Sequence, residues 1–123
     1  MIYGTVNARL EAIVRLRVRG PTGGIATVDA LIDTGFNASL TIPGATAAAL
    51  ELTLQSSGRT LLADGSTRPF DIHAAEVEWG GVWRPILVWF AGDECLLGMS
   101  LLSGHQLRLE ATLGGMAEIT ALP

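Results

Sequence analysis

Cysteine is almost missing from this chain: Cys95 stands alone among 123 residues, so no disulfide can form within it. That usage suits a reducing compartment. Charge is scarce as well, at 16% of residues, which excludes a long disordered polyelectrolyte tail. Its sign is wrong for nucleic acid, because the net value is −4 and phosphate binding needs a basic patch. Long hydrophobic runs are lacking too. The longest stretches, such as Pro85 to Ala91, fall far short of the roughly 20 residues needed to span a bilayer, so no membrane partner is expected. Met1-Ile2-Tyr3-Gly4-Thr5 has neither a basic region nor an apolar one behind it. No signal peptide is expected, and the expected setting is the cytoplasm.

What is abundant is apolar side chain, at 49% of residues. That is enough for one real core, and the length fits a single domain over residues 1–123. The pattern is that of strands. In residues 13–19, Val14, Leu16 and Val18 alternate with Arg15, Arg17 and Arg19, as on a half-buried strand whose arginines form a solvated face. Gly20 to Gly24 is a turn by composition; it lacks the lysine and following helix of a phosphate-binding loop. Ile25 to Ile32, mostly apolar and rich in β-branched residues, predicts a strand buried on both faces, with Asp33 where it ends. Ser39 to Ile42 predicts a short strand, and Pro43 opens an alanine-rich helix through Leu50.

Further on, Arg59–Ala63 and Arg68–Trp79 flank Asp64-Gly65, a tight-hairpin dipeptide, and Gly80-Gly81 reverses the chain into Val82–Phe90. Cys95 to Gly98 predicts another short strand, Ser100 to Gly104 one or two helical turns, and Leu107–Leu109 pairs with Met116–Ile119 around Gly114-Gly115. Many short strands, glycine-rich turns and one or two short helices describe a compact, mainly β barrel.

The chemically informative stretch is Ala30-Leu31-Ile32-Asp33-Thr34-Gly35-Phe36. An apolar strand brings a carboxylate to the edge of the core, where its proton affinity can be tuned. Thr34 can donate and accept hydrogen bonds to lock the loop, and Gly35 allows close backbone approach. Asp-Thr-Gly alone is weak, since roughly one chain in fifty of this length contains it by chance and Asp and Gly are ordinary turn residues. Its context strengthens it. Leu31 to Ser39 resembles the catalytic loop of retropepsin-like aspartic proteases, and in particular the small prokaryotic group bearing Asp-Thr-Gly-Phe. Leu62-Ala63-Asp64-Gly65-Ser66 lies about thirty residues on, where that family places its substrate-covering flap. Leu96-Leu97-Gly98-Met99-Ser100-Leu101-Leu102 resembles the family's apolar pair and glycine leading into a helix beside the catalytic loop.

The resemblance implies a mainly β, closed retropepsin-like barrel assembled as a two-fold homodimer that cleaves a polypeptide substrate. Asp33, Thr34 and Gly35 would be catalytic. Leu62, Ala63, Asp64, Gly65, Ser66 and Leu96 would bind substrate, while Leu97 is better placed in the core. Two carboxylates about 3 Å apart must share a proton. Only one Asp-Thr-Gly occurs here, so the second carboxylate would come from another copy. The resemblance also suggests that the termini join the interface, so that removing Met1 to Asn7 weakens dimerisation before it unfolds the subunit. Phe36 stands where the retroviral enzymes carry a small residue, and Met99 where they often carry a basic one. Two other readings use the same residues: a catalytically inactive peptide- or protein-binding module on this fold, and a structural β-subunit.

The remaining reactive residues point elsewhere. His73 and His105 are isolated and lack ligand-spaced Cys or carboxylate neighbours, so neither a metal nor another cofactor is expected. Cys95 lacks a basic partner and reads as a buried structural thiol. Ser39 and Ser66 lie outside any Gly-x-Ser-x-Gly elbow. Trp79, Trp83 and Trp89 are expected to pack a sheet face, with Trp83, Pro85, Leu87 and Trp89 on one side of their strand.

Overall fold

The computed structural model describes residues 1–90 and 92–123; Ala91, the last residue of the apolar run noted above, lies outside the described residues. Among the described residues ten strands and two short helices follow one another: β1 (Ile2–Val6), β2 (Ala12–Arg19), β3 (Ile25–Ile32), β4 (Leu40–Thr41), α1 (Gly44–Ala49), β5 (Thr53–Leu61), β6 (Thr67–Trp79), β7 (Val82–Phe90), β8 (Leu96–Leu97), α2 (Met99–Leu102), β9 (His105–Leu109) and β10 (Met116–Ala121). The chain is thus mainly β with two short helices, as the turn-punctuated sequence predicts.

All ten strands join one sheet in the order β5-β6-β7-β4-β8-β3-β2-β1-β10-β9, with an extra pairing of β6 to β2. That pairing closes a ring of β6, β7, β4, β8, β3 and β2, through Val18↔Val77 and Arg19↔Glu76 alone. The expected closed barrel is therefore realised only in part. The physical reason lies in β6, which pairs with β5 as far as Ala74 and turns to β2 only at Glu76. Thr67 to Phe70 pair with β5 alone and leave the ring as a two-stranded hairpin, while β1, β10 and β9 form a flank on the other side.

β2 shows how alternation builds the interior. Val14, Leu16 and Val18 point inward and are at most 3% exposed, against Val28 and Ala30 of β3 and Ile86 and Val88 of β7. Leu40, Leu97 and Leu101 are fully buried; each such leucine stabilises the fold by about 2–3 kcal/mol relative to exposure. The arginines face solvent as predicted, but each has a partner: Arg15–Asp29 at 3.0 Å, Arg17–Glu78 at 2.6 Å and Arg19–Glu76 at 3.0 Å. The Arg19 guanidinium also lies 4.2 Å from the centre of the Trp83 ring.

Several expectations change. β3 is not buried on both faces: Val28 and Ala30 point inward, whereas Ile25, Thr27 and Asp29 are exposed. In the β2–β3 register Asp29 lies opposite Arg15 and Thr27 opposite Arg17, so the outer face of β3 belongs to the arginine face. The tryptophans divide as well. Trp79 is buried and donates from Nε1 to His105 Nε2 at 3.2 Å, while Trp83 and Trp89 share the face of β7 opposite Ile86 and Val88. Finally, the N-terminal strand is engaged within the chain: β1 pairs with β10 over Ile2–Thr5 and with β2 at Thr5 and Val6. Removing Met1 to Asn7 takes out an internal strand of the sheet, so it should damage the subunit directly, contrary to the sequence-based expectation.

Candidate active site

β3 carries Asp33 to the rim of the ring. Its last residue, Ile32, pairs in parallel with Leu97 of β8, and the Asp33 amide then donates to the Leu97 carbonyl at 2.9 Å. The Asp33 side chain is half-buried, and its Oδ1 accepts the Gly35 N–H at 2.9 Å, closing a tight Asx turn. The Phe36 N–H donates to the Asp33 carbonyl at 3.1 Å, while Thr34 and Gly35 face outward.

The segment behind this loop is fastened to the start of α2. Gly98 N–H donates to the Ser39 carbonyl at 2.9 Å, Met99 N–H to Phe36 at 2.7 Å and Ser100 N–H to Ala38 at 3.2 Å. The Ser100 hydroxyl adds a bond to the Asn37 carbonyl. Only glycine fits at 98. A Cβ there would collide with the Ala38 carbonyl oxygen and lie 2.7 Å from that of Phe36 and 2.6 Å from the Phe36 ring. Thr41 adds a third fastening from inside. It is 3% exposed, and its hydroxyl accepts the Leu96 N–H at 2.8 Å and donates to the Glu94 carbonyl at 2.9 Å. Both capacities of that buried hydroxyl are thereby used.

The residues singled out in the sequence separate into two places. Asp33, Thr34 and Gly35 form the loop, and Leu96 sits beside it in β8 opposite Leu31, half-buried. Leu97 is fully buried in the core. Leu62, Ala63, Asp64, Gly65 and Ser66 form the turn between β5 and β6, where Leu62 N–H donates to Ser66 at 2.8 Å and Gly65 N–H to Leu62 at 3.0 Å. Asp64 serves its own turn: bonds from the Ser66 hydroxyl and backbone N–H hold its carboxyl below the usual carboxylate range. Among the described residues no hydrogen bond joins this turn to residues 33–35.

The other carboxylates are engaged or remote in kind. Asp29 pairs with Arg15, Asp71 accepts the Ser57 hydroxyl at 2.7 Å, and Asp93 and Glu94 are exposed beyond β7. Asp33 is thus the one carboxylate in the loop. Among the described residues no three His, Cys, Asp or Glu side chains are gathered to hold a metal ion. Cys95, half-buried just before β8, has its thiol pushed up to about 12, first by burial and second by the Asp29 charge, so it is a poor nucleophile.

Sequence reasoning missed Thr41, Ser100 and the surroundings of Phe36. A hydroxyl within the short apolar run Leu40–Ile42 is a signal that could have found Thr41, because a buried threonine needs partners. Nothing in the sequence announces that Phe36 meets Trp89, 53 positions away, with ring centres 6.3 Å apart.

With this geometry in place, comparison with known proteins is informative. The family model described as gag-polyprotein putative aspartyl protease matches residues 21–104, more than half of the chain, from the turn before β3 to the end of α2. Among curated proteins no significant match is found.

Proposed function

Because this chain belongs to that retropepsin-like aspartyl protease family, we propose that it is an aspartic endopeptidase in which Asp33 works with the same residue of a second copy. The observation that carries this reading is the Asp33 loop: one half-buried carboxylate, held by its own Asx turn and fastened to β8 and α2, at a rim where Thr34 and Gly35 are exposed. One carboxylate is half of what the chemistry needs, and a two-fold axis through this rim supplies the other. Met99, 45% exposed beside Gly98, offers apolar surface on the same side.

The reaction is acid–base hydrolysis without a covalent intermediate. Water between the two carboxyl groups loses its proton to the ionised aspartate as its oxygen bonds to the peptide carbon. The protonated aspartate gives its proton to the carbonyl oxygen. As the tetrahedral species collapses and the C–N bond breaks, the aspartate that took the water's proton gives it to the leaving amine, and a hydroxyl of the new acid returns its proton to the other aspartate. The titration belongs to the pair, not to either residue. The β5–β6 hairpin acts as the flap, with Leu62 to Ser66 at its tip closing over the substrate and excluding water. Leu61 and Leu62, 73% and 37% exposed next to the hairpin tip, favour an apolar stretch of extended peptide pairing with it as an added strand.

The test is cleavage of a diverse peptide library from about pH 4 to 7.5, the range in which a coupled pair can hold one proton, with Asp33→Asn in parallel and sedimentation to count subunits. Wild-type cleavage, at least about a thousandfold faster than Asp33→Asn, and a dimer are expected. A cleaving monomer would remove the shared site. Peptide binding that survives Asp33→Asn, without cleavage by either protein, would establish a binding module instead.

A further inference from the structure

The β5–β6 hairpin stands largely in water: from Arg59 to Pro69 every residue is exposed. Coming back from its tip along β6, the first side chain to meet the body is Phe70. Its ring stacks on Trp89 of β7, with centres 4.8 Å apart and planes 12° from parallel. Trp89 also meets Phe36 in a T-shaped pair, at 6.3 Å and 87°. Both are favoured aromatic geometries, and each such pair adds to the stability of its contact beyond simple burial.

The surrounding backbone shows that this stack is built into the fold. Opposite Phe70, β5 carries Gly58, where a Cβ would lie 2.9 Å from the tip of the phenyl ring; the glycine clears the space the ring occupies. The Trp89 carbonyl accepts the Ile42 N–H at 3.0 Å, which fixes the middle ring's backbone to the chain leaving β4. Phe36 lies three residues after Asp33 and makes two loop bonds through its own backbone, N–H to Asp33 and carbonyl to Met99. Its ring also rests against Gly98. A displacement of Phe70 therefore has a short path of packed rings to the backbone that holds Asp33.

We propose that Trp89 is a positioning residue: in contact with both Phe70 of the flap and Phe36 of the Asp33 loop, it makes the rigidity of the loop depend on the placement of the flap. This rests on the protease reading for its consequence in catalysis, though the mechanical link can be measured without it. Substrate that closes the flap would press Phe70 onto Trp89 and tighten the loop, and a flap that lacks the ring would leave the loop looser.

Phe70→Leu is the decisive variant, because it lies on the exposed hairpin and leaves the interior untouched. Amide exchange at Phe36 and Met99, followed by NMR, should rise about two- to tenfold in Phe70→Leu, the equivalent of one aromatic pair, while amides of the β1–β10 pairing stay unchanged. Phe70→Tyr, which keeps the stack, should restore the wild-type rates. In peptide cleavage Phe70→Leu should lower kcat by a similar factor with a smaller change in KM. Combining it with Trp89→Leu should add little to either single effect, since both break one path. Unchanged exchange at Phe36 and Met99 in folded Phe70→Leu overturns the link even if the wild type cleaves peptides. Raised exchange in a protein that cleaves nothing supports the link and removes only the protease reading.

Discussion

Two turns in this chain use the same local chemistry. In Asp33-Thr34-Gly35 and in Asp64-Gly65-Ser66, an aspartate Oδ1 accepts the backbone N–H two residues on, at 2.9 Å in both cases. Their surroundings have little in common. The first turn hangs from the Leu97 carbonyl and is backed by Gly98, Met99 and Ser100, residues more than sixty positions away. The second bonds only to its own neighbours, and Leu62 to Ser66 are all exposed. The difference teaches that an Asx turn becomes a rigid platform only when distant backbone fastens it. Left alone, the same turn is held only by its own bonds.

The sharpest way to break this contrast is at the fastening. Gly98→Ala puts a methyl group against two carbonyl oxygens, so it should cost about 3 kcal/mol or more, seen as a lower urea midpoint or as insoluble protein. Next is the closedness of the wall beside the loop, read through Cys95. With its thiol raised from an ordinary 9.0 to about 12, modification near pH 8.5 should run about a thousandfold slower in the native chain than in urea. The sign for stability follows. The native state favours the protonated thiol, so this contribution is complete below pH 9 and is lost as pH rises through 12. Cys95→Ala should flatten that alkaline decline.

A milder cut is Thr41→Val. It keeps the shape but leaves the Leu96 N–H and Glu94 carbonyl without their partner, which should cost about 1–3 kcal/mol in a denaturant titration. The smallest effect belongs to the other turn. Gly65 has a φ of +85° and open space around it, so Gly65→Ala should cost about 1 kcal/mol in the hairpin alone. Its exchange signature should stay within residues 61–67. Loss of global stability as large as that of Gly98→Ala would show the two turns to be held alike.

Much of this arrangement was legible in advance. The alternation of Val14, Leu16 and Val18 with arginines gave β2 and its orientation, and Gly80-Gly81, both at positive φ, gave the reversal between β6 and β7. Asp33 reads as a strand end because an apolar run stops there. The features that differ from the sequence pattern depend on partners far along the chain. The composition of β3 predicts double burial, yet its outer face is decided by Arg15 and Arg17 across the ladder. β5 starts at Thr53, earlier than its composition suggests, because β6 is long enough to pair with it.

The sequence by itself determined the local pieces: which residues alternate, where glycines and prolines break the chain, and that one aspartate sits at the end of an apolar strand. These follow from steric and hydrophobic rules that act over a few neighbouring residues. Only the tertiary structure decided that Asp33 rests on β8 and α2, that Thr41 binds them from within, and that Phe70 and Phe36 both pack on Trp89. Those contacts join positions tens of residues apart, and a sequence pattern with a period of two carries no information about which distant strand will lie alongside.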